Sequence, residues 1–192
     1  NNTYLYNVQF SLFTVSYNLN YNTGNSALYG GNMIRKADIS DLDEILKIFE
    51  YARKFMKENG NPNQWGNSRP SENAVINDIK DRNCYVFENK GLQATFTLIQ
   101  GIEPTYTEIF GKWLDNSPYA TIHRIASNGK IKGVMNKCLE FAFSRYSNIR
   151  IDTHKDNIIM RHIIEKSGFT YCGIIKVEDG SERLAYQKII QE

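Results

Sequence analysis

The segment 119–153 constrains the fold more than any other part of the 192-residue sequence. Residues 119–126 have the pattern of a strand, residues 132–145 carry apolar side chains at helical spacing, and residues 149–153 again indicate a strand. A strand, a helix and a further strand in one sheet form a right-handed crossover, and its two strands lie parallel. The sequence therefore predicts one parallel strand pair with a helix packed against it.

The pattern of the remaining chain is antiparallel. From residue 33 onward the element order is β-α-α-β-β-β-α-β-α-β-β, and Asp179-Gly180 between two strand patterns is a hairpin signal. We predict a single α/β (α+β) domain. Its mixed, mostly antiparallel sheet of about seven strands is flanked by helices.

Residues 1–32 differ in composition from the rest. They contain no Asp, Glu, Lys or Arg and are rich in Asn and Tyr. Val8, Phe10 and Leu12 alternate with polar residues, as in a strand that adds to a sheet edge. Two interpretations stay open: an appended tail, which we favour, or a working arm. We assign the domain to residues 33–192 and expect deletion of residues 1–32 to leave folding and activity intact.

Charge and cysteine content exclude several classes of protein. A net charge of +2 is too small for the basic surface of a nucleic-acid-binding protein, and no run approaches the roughly 18 apolar residues of a membrane span. The three cysteines have no metal-ligand spacing and are typical of free thiols in a reducing compartment. We expect a cytoplasmic protein without a metal, a membrane or a nucleic-acid partner; a homodimer stays open.

The turn after the strand 119–126 has the features of a phosphate site. The first amides of a helix lack an intrahelical acceptor, and the helix dipole favours negative charge there. Gly133 has no Cβ, so a phosphate can approach the backbone closely, and Lys130 and Lys132 add positive charge. Alone, such a turn is more often only a turn, and neither a Walker A loop nor a dinucleotide fingerprint is present.

Two blocks together resemble the GCN5-related N-acetyltransferase (GNAT) family. Lys130-Ile131-Lys132-Gly133-Val134-Met135 lies over the family's loop pattern Arg/Gln-x-x-Gly-x-Gly/Ala, and Asn157 followed by Glu165-Lys166-Ser167-Gly168-Phe169 resembles its asparagine helix. The resemblance covers nearly all of residues 33–190. It implies the acyl-CoA N-acyltransferase (GNAT) fold, with strands 119–127 and 149–153 splayed apart. It also implies an acyltransferase that moves an acyl group directly from acetyl-CoA to a primary amine of a small molecule or peptide.

The resemblance further implies a coenzyme site. Backbone groups of Ile125 and Ser127 would pair with the pantetheine arm, and the amides of the turn would face the pyrophosphate. The implied coenzyme-binding residues are Ile125, Ser127, Lys130, Ile131, Lys132, Gly133, Val134, Met135, Asn136 and Asn157. Met135 replaces a family Gly or Ala, and Ile164 replaces the Tyr that many members use as an acid. These departures keep a second interpretation open, a non-catalytic acyl-CoA-binding sensor or interaction domain.

The candidate catalytic residues are His123 and Tyr171. On a regular strand residues 119, 121, 123 and 125 share a face, which places His123 just before the coenzyme turn. Imidazole changes protonation near neutrality, so we predict that His123 is the general base. Tyr171 could replace the acid missing at Ile164, and His154 could also line the site. Aromatic residues in the irregular segments and at the strand start are the predicted substrate-binding residues: Trp65, Tyr106, Trp113 and Tyr119.

Overall fold

The computed structural model describes residues 21–22, 26–29 and 32–190. The strands in these residues are β1 (Tyr21–Asn22), β2 (Ser26–Tyr29), β3 (Asn32–Lys36), β4 (Cys84–Glu88), β5 (Leu92–Gln100), β6 (Phe110–Gly111), β7 (Ala120–Ser127), β8 (Asn148–Thr153), β9 (Thr170–Lys176) and β10 (Glu182–Ile189). The α-helices are α1 (Leu42–Glu58), α2 (Glu72–Lys80), α3 (Val134–Phe143) and α4 (Ile158–Lys166). Short 3-10 helices cover Ile39–Asp41 and Pro104–Tyr106.

The strands form one sheet in the order β1-β2-β3-β4-β5-β7-β8-β10-β9-β6. Among the described residues β7 and β8 are the one parallel pair, and every other pairing is antiparallel. Seven of these strands have five residues or more. The predicted fold class, a mixed and mostly antiparallel sheet with one parallel pair, is confirmed.

The sheet separates two hydrophobic cores because its strands point alternate side chains to opposite faces. In β4, Phe87 packs in the cluster that includes Phe141 of α3, whereas Val86 packs in the cluster that includes Phe49 of α1 and Val75 of α2. Helices α1 and α2 therefore cover one face, and α3 and α4 cover the other. A third cluster forms around Tyr106, Trp113, Cys172, Ile175 and Ala185.

The parallel pair opens towards its carboxyl end. Pairing between β7 and β8 runs from Ala120–Ile149 to Ile122–Ile151 and stops, although β7 continues to Ser127. In the part of the chain that the structure describes, no strand pairs with that edge of β7 beyond Ile122. The backbone of residues 123–127 is thus available to a ligand on this side.

A bulge in β7 changes the face to which its side chains point. Thr95 and Thr97 of β5 pair with Ala126 and His123, so β7 carries one extra residue between those positions, and Arg124 has a φ of 52°. Thr121 and His123 share one face as predicted, but Ile125 packs against the same cluster as Ala120 and Ile122. The expectation that residue 125 shares the face of residue 123 is wrong, because the bulge interrupts the alternation.

The boundary at residues 32 and 33 falls within paired strands. Strand β2 pairs with β3, and β3 pairs with β4, so residues 26–29 extend the sheet beyond β3. Val8, Phe10 and Leu12 lie outside the described residues. The effect of deleting residues 1–32 stays a prediction, which the melting temperature of the truncated chain would test.

Candidate functional site

A cleft of about 810 Å³ opens where β7 ends and α3 begins; we call it the helix-terminus cleft. Gly133 is the residue before α3 and has a φ of 73°, a left-handed conformation that glycine adopts without strain. The helix therefore begins at Val134, two residues later than the spacing predicted. The predicted coenzyme-binding residues on the cleft wall are Ile125, Ser127, Ile131, Gly133, Val134, Met135, Asn136 and Asn157.

The helix-terminus cleft combines a polar end with apolar walls. The leading amides of α3, at Val134, Met135 and Asn136, have no acceptor one turn earlier within the helix, so they present donors and the positive end of the helix dipole. Lys130 and Lys132 are exposed beside this end. The apolar part of the wall includes Leu139, Phe143, Ile159 and Ile163. Such a cleft fits a ligand that joins a phosphate group to a less polar chain.

A second cavity of about 770 Å³ adjoins the carboxyl ends of the splayed strands; we call it the histidine cavity. Its wall includes His123, Glu103, Asp152 and Arg183, which come from four distant parts of the sequence. The loop 61–70 and the turn between β9 and β10 form its roof, and an ion pair between Arg69 and Asp179 joins them.

His123 is held by a partly buried carboxylate. Its Nε2 lies 2.9 Å from Oε2 of Glu103, and the two side chains are 19% and 16% exposed. Oε1 of Glu103 accepts hydrogen bonds from the amide and hydroxyl of Thr105. Burial raises the pKa of Glu103, but the hydrogen bond and charge of His123 and the hydrogen bonds of Thr105 outweigh it and lower the pKa to about 2.

An ionised Glu103 determines the tautomer of His123. The carboxylate can only accept, so Nε2 of His123 carries the proton and Nδ1 of the neutral ring holds the free electron pair. Nδ1 lies 3.9 Å from Oδ2 of Asp152, which accepts a hydrogen bond of 2.7 Å from the hydroxyl of Tyr106. Asp152 is therefore close enough to stabilise a positive charge on the ring. His123, paired with Glu103, can therefore take up one proton at its Nδ1.

The bulge residue Arg124 is fixed by a second, partly buried carboxylate. Its Nη1 lies 3.0 Å from Oδ2 of Asp78, which also accepts a hydrogen bond from Oγ1 of Thr97. Burial raises the pKa of Asp78, and the charge of Arg124 and the bond from Thr97 offset part of that rise. These contacts compensate for the positive φ of Arg124, which costs a non-glycine residue about 1–2 kcal/mol.

The two cavities meet at four residues. Met56, Ile125, Asn157 and Met160 line both the helix-terminus cleft and the histidine cavity. Asn157 is the N-cap of α4, where its Oδ1 accepts a hydrogen bond of 3.1 Å from the amide of Met160. A ligand that passes this junction from the cleft therefore reaches the cavity that contains His123.

Three of the predicted substrate-binding aromatics lie behind the histidine cavity and do not line it. Tyr106 is 1% exposed and stacks on Trp113, whose indole donates a hydrogen bond to the carbonyl of Tyr106. The guanidinium of Arg150 lies between the rings of Trp113 and Tyr119. The hydroxyl of Tyr119 accepts from the amide of Glu103. These aromatics support Glu103 and Asp152, whereas Trp65 lines the cavity.

The remaining candidates lie apart from His123. Tyr171 is 52% exposed on β9, packs its ring against Tyr186 and lines neither cavity. His154 also lines neither cavity. Its Nδ1 faces Asp156, and burial lowers its pKa. Ile164 belongs to α4 and is fully buried in the core cluster that α4 shares with α3.

Structural comparison finds proteins of the same architecture. A GNAT-family acetyltransferase from Streptococcus agalactiae 2603 superposes with a TM-score of 0.78 at 34% identity, and the match covers 86% of this chain and 99% of that one. A GNAT-family acetyltransferase from Listeria monocytogenes 4b F2365 gives a TM-score of 0.64 at 19% identity, over 86% and 100% of the two chains. No protein-family model and no curated protein matches the sequence.

The chain belongs to the GNAT family of acetyltransferases. Acyl transfer is the reaction class of this family. A more distant fold relative, yncA from Salmonella typhimurium, was determined with its cofactor acetyl-CoA; it gives a TM-score of 0.55 at 15% identity, over 84% of this chain and 95% of that one.

The helix-terminus cleft fits the coenzyme that GNAT acetyltransferases use. Gly133 leaves open space where a Cβ would lie, since no other atom comes within 4 Å of that position. Met135, the departure from the family's loop pattern, lines the cleft and also packs against the core cluster. Lys130 and Lys132 flank the cleft and do not line it.

The candidate site also contains residues that the sequence did not indicate. Glu103, Arg124 and Arg183 surround the histidine cavity, and neither their spacing nor their neighbours formed a motif. Gln64 joins them through the loop 61–70, where its side chain accepts a hydrogen bond from Nδ2 of Asn157. The described residues contain no group of three or more His, Cys, Asp or Glu arranged to hold a metal ion. They also contain no helix with the length and apolar character of a membrane span.

Proposed function

We propose that the protein is an acetyl-CoA-dependent N-acetyltransferase that transfers an acetyl group directly to a primary amine. One observation carries the proposal: the helix-terminus cleft and the histidine cavity meet at Ile125 and Asn157, and His123 lies on the wall just beyond that junction. A donor in the first cavity and an acceptor in the second would bring thioester and amine together between the splayed strands. The family's reaction class and the acetyl-CoA of the fold relative yncA support the choice of donor.

The coenzyme would be held mainly by backbone groups. The leading amides of α3 and the charges of Lys130 and Lys132 suit its pyrophosphate, and the unpaired edge of residues 123–127 suits the amides of its pantetheine arm. Bound acetyl-CoA would supply an acyl group activated as a thioester. Because Ser127 lies in the cleft, Ile125 at the junction and His123 in the second cavity, β7 defines the path between coenzyme and acceptor.

His123 and its carboxylates would prepare the acceptor. An amine enters as an ammonium ion, which Glu103 and Asp152 attract, and it must lose a proton before it can attack. Nδ1 of His123 takes that proton, and the carboxylates on both sides stabilise the imidazolium that forms. Among the described residues, no acidic side chain lines the junction. The second proton that the nitrogen loses after attack would therefore pass to solvent, and the thiolate would take its proton from solvent.

Two measurements test the proposal. Acetyl-CoA should raise the melting temperature of the full chain, and a panel of primary amines should release free thiol from acetyl-CoA in its presence. A thermal shift with no thiol release from any amine would instead support an acyl-CoA-binding sensor. The absence of both the thermal shift and thiol release would contradict coenzyme binding itself.

A cytoplasmic location completes the proposal. Cys84, Cys138 and Cys172 are all buried and free of disulfides, which is typical of proteins in a reducing compartment.

A further inference from the structure

The orientation of the Gln64 side chain follows from a chain of hydrogen bonds that starts at a helix end. The amide of Met160 donates to Oδ1 of Asn157, so Nδ2 of Asn157 must be the atom that faces Gln64 at 2.9 Å. Oε1 of Gln64 accepts this bond and a second one, also 2.9 Å long, from Nδ2 of Asn61. Gln64 cannot be flipped without placing donor against donor.

The same chain of hydrogen bonds leaves the Nε2 atom of Gln64 as the free half of the amide. Gln64 lines that cavity, and no described residue accepts a hydrogen bond from its Nε2. The two N–H groups of Gln64 are thus held beside Asn157, one of the residues that line both cavities, while the Oε1 atom of Gln64 is already occupied. A ligand in this cavity gains a hydrogen bond here if it carries an oxygen acceptor.

Arg183 offers a second set of donors that line the same cavity. Its side chain is 7% exposed, and its Nη1 donates to Oγ of Ser181 and to the carbonyl of Glu182. Within the described ranges no acceptor binds its Nη2. Its Nε lies 3.9 Å from Oδ1 of Asp152, so these cationic donors adjoin the carboxylate that faces His123.

The histidine cavity therefore has two chemically opposite parts in contact. Glu103 and Asp152 suit an ammonium group, and Arg183 with Gln64 suits a carboxylate. Because Arg183 directly adjoins Asp152, the two charged groups of the ligand must be close together. Free α-amino acids meet this requirement, since one carbon separates their ammonium and carboxylate groups.

We propose that the acceptor is a free α-amino acid, with its amine beside Glu103, His123 and Asp152 and its carboxylate held by Arg183 and Gln64. The inference rests on the proposed function, because it names the acceptor of the same reaction. It makes simple amines and polyamines poorer acceptors, because they would leave the donors of Arg183 and Gln64 without a partner.

Matched pairs of acceptors test the carboxylate directly in the thiol-release assay with the full chain. The pairs are leucine with isoamylamine and phenylalanine with 2-phenylethylamine. Hydrogen bonds to charged groups predict that kcat/KM is about 100-fold higher for each amino acid than for its decarboxylated amine. Equal values within both pairs would overturn the inference while leaving N-acetyl transfer intact, whereas no thiol release from any amine would remove the proposed function.

Leucinamide separates a free amino acid from a peptide amino terminus. It keeps the carbonyl oxygen but lacks the negative charge, so its kcat/KM should be about tenfold below that of leucine. Equal values for leucine and leucinamide would overturn the free amino acid in favour of a carbonyl-bearing acceptor.

Gln64→Glu is a near-isosteric test of the donor. A glutamate keeps the oxygen that accepts from Asn157 and Asn61 but replaces the N–H donors with a negative charge. The leucine to isoamylamine ratio should fall at least about tenfold, and the KM of acetyl-CoA should stay unchanged. The same change at the exposed Gln100, which lines neither cavity, is the control and should leave the ratio unaltered. A wild-type ratio in Gln64→Glu would overturn the role of Gln64.

Discussion

The helix-terminus cleft and the histidine cavity adjoin each other, but backbone groups form the polar end of the first and side chains form the second. The polar end of the cleft comes from the backbone of one continuous segment, residues 125–136. The histidine cavity instead depends on side chains that are far apart in sequence: Gln64, Glu103, His123, Asp152 and Arg183. The difference teaches that a backbone site needs one local conformation, whereas a side-chain site needs the whole fold. Substitutions should therefore act through conformation in the cleft and through chemistry in the cavity.

The largest effect is expected in the histidine cavity. His123→Ala should lower kcat by about 100-fold or more, because a positioned general base contributes about 10²–10⁴-fold. The KM of acetyl-CoA should not change, since His123 does not line the helix-terminus cleft. Steady-state kinetics of both substrates measure this separation. Turnover of the wild type that stays constant from pH 6 to pH 9 would remove His123 from the mechanism.

Glu103→Gln should have a smaller kinetic effect, about tenfold in kcat, because the ring keeps a partner but loses a stabilising charge. The same variant tests the pKa of about 2 in the folded protein, which lies below the ordinary value of 4.5. A lowered carboxylate pKa stabilises the fold above pH 4.5, and this contribution is lost as the pH falls towards 2.

Thermal unfolding between pH 2 and pH 6 measures this contribution. The difference in melting temperature between wild type and Glu103→Gln should be largest above pH 5 and should disappear near pH 2. A difference that is independent of pH would contradict the lowered pKa.

In the helix-terminus cleft, Gly133→Ala should act through the backbone. The new Cβ has open space, but the φ of 73° costs a non-glycine residue about 1–2 kcal/mol. The melting temperature should fall by about 2–8 °C, and the KM of acetyl-CoA should rise several-fold as the leading amides of α3 shift. Gly180→Ala is a matched control, since Gly180 has a φ of 78° and equal space but lines neither cavity. Gly180→Ala should lose similar stability without a change in the KM of acetyl-CoA.

The smallest effect is expected for Met135→Leu. Met135 presents its amide at the start of α3, and a leucine of similar volume keeps that amide and the packing of the core. The KM of acetyl-CoA should stay within about threefold of the wild-type value. A tenfold decrease would show that the methionine side chain restricts the pyrophosphate, and the distinction between backbone and side-chain sites would not hold here.

The same distinction explains what the sequence could predict. The order of the elements, the parallel pair and the phosphate turn are local patterns, so periodicity and the resemblance of two blocks were enough to locate them. His123 was placed beside the turn because it lies four residues before the end of the same strand. Its partner Glu103 follows β5, and only the antiparallel pairing of β5 with β7 brings the two together.

The bulge at Arg124 shows why the rest could not be predicted. Positive φ angles occur mainly at glycine or asparagine, and position 124 has neither of these residues. The conformation is stabilised by Asp78 on α2, which is 46 residues away. Because of the bulge, the side chain of Ile125 points to the opposite face of the sheet from His123. No window of local sequence contains the contacts that cause this change.

The roof of the histidine cavity has a consequence for how such a protein can change. The loop 61–70 and the turn between β9 and β10 meet through Arg69 and Asp179, a largely exposed pair of the kind that contributes little to stability. Both segments are connections between regular elements. The turn between β9 and β10 does not line the helix-terminus cleft, and the loop 61–70 reaches it only at Asn61. Asn61 and Gln64 connect this loop to Asn157 of the cleft, whereas residues 65–70 and the turn between β9 and β10 do not line the cleft. We therefore expect that replacing residues 65–70 and this turn alters which acceptor is admitted while the donor site and the proton-accepting histidine stay in place.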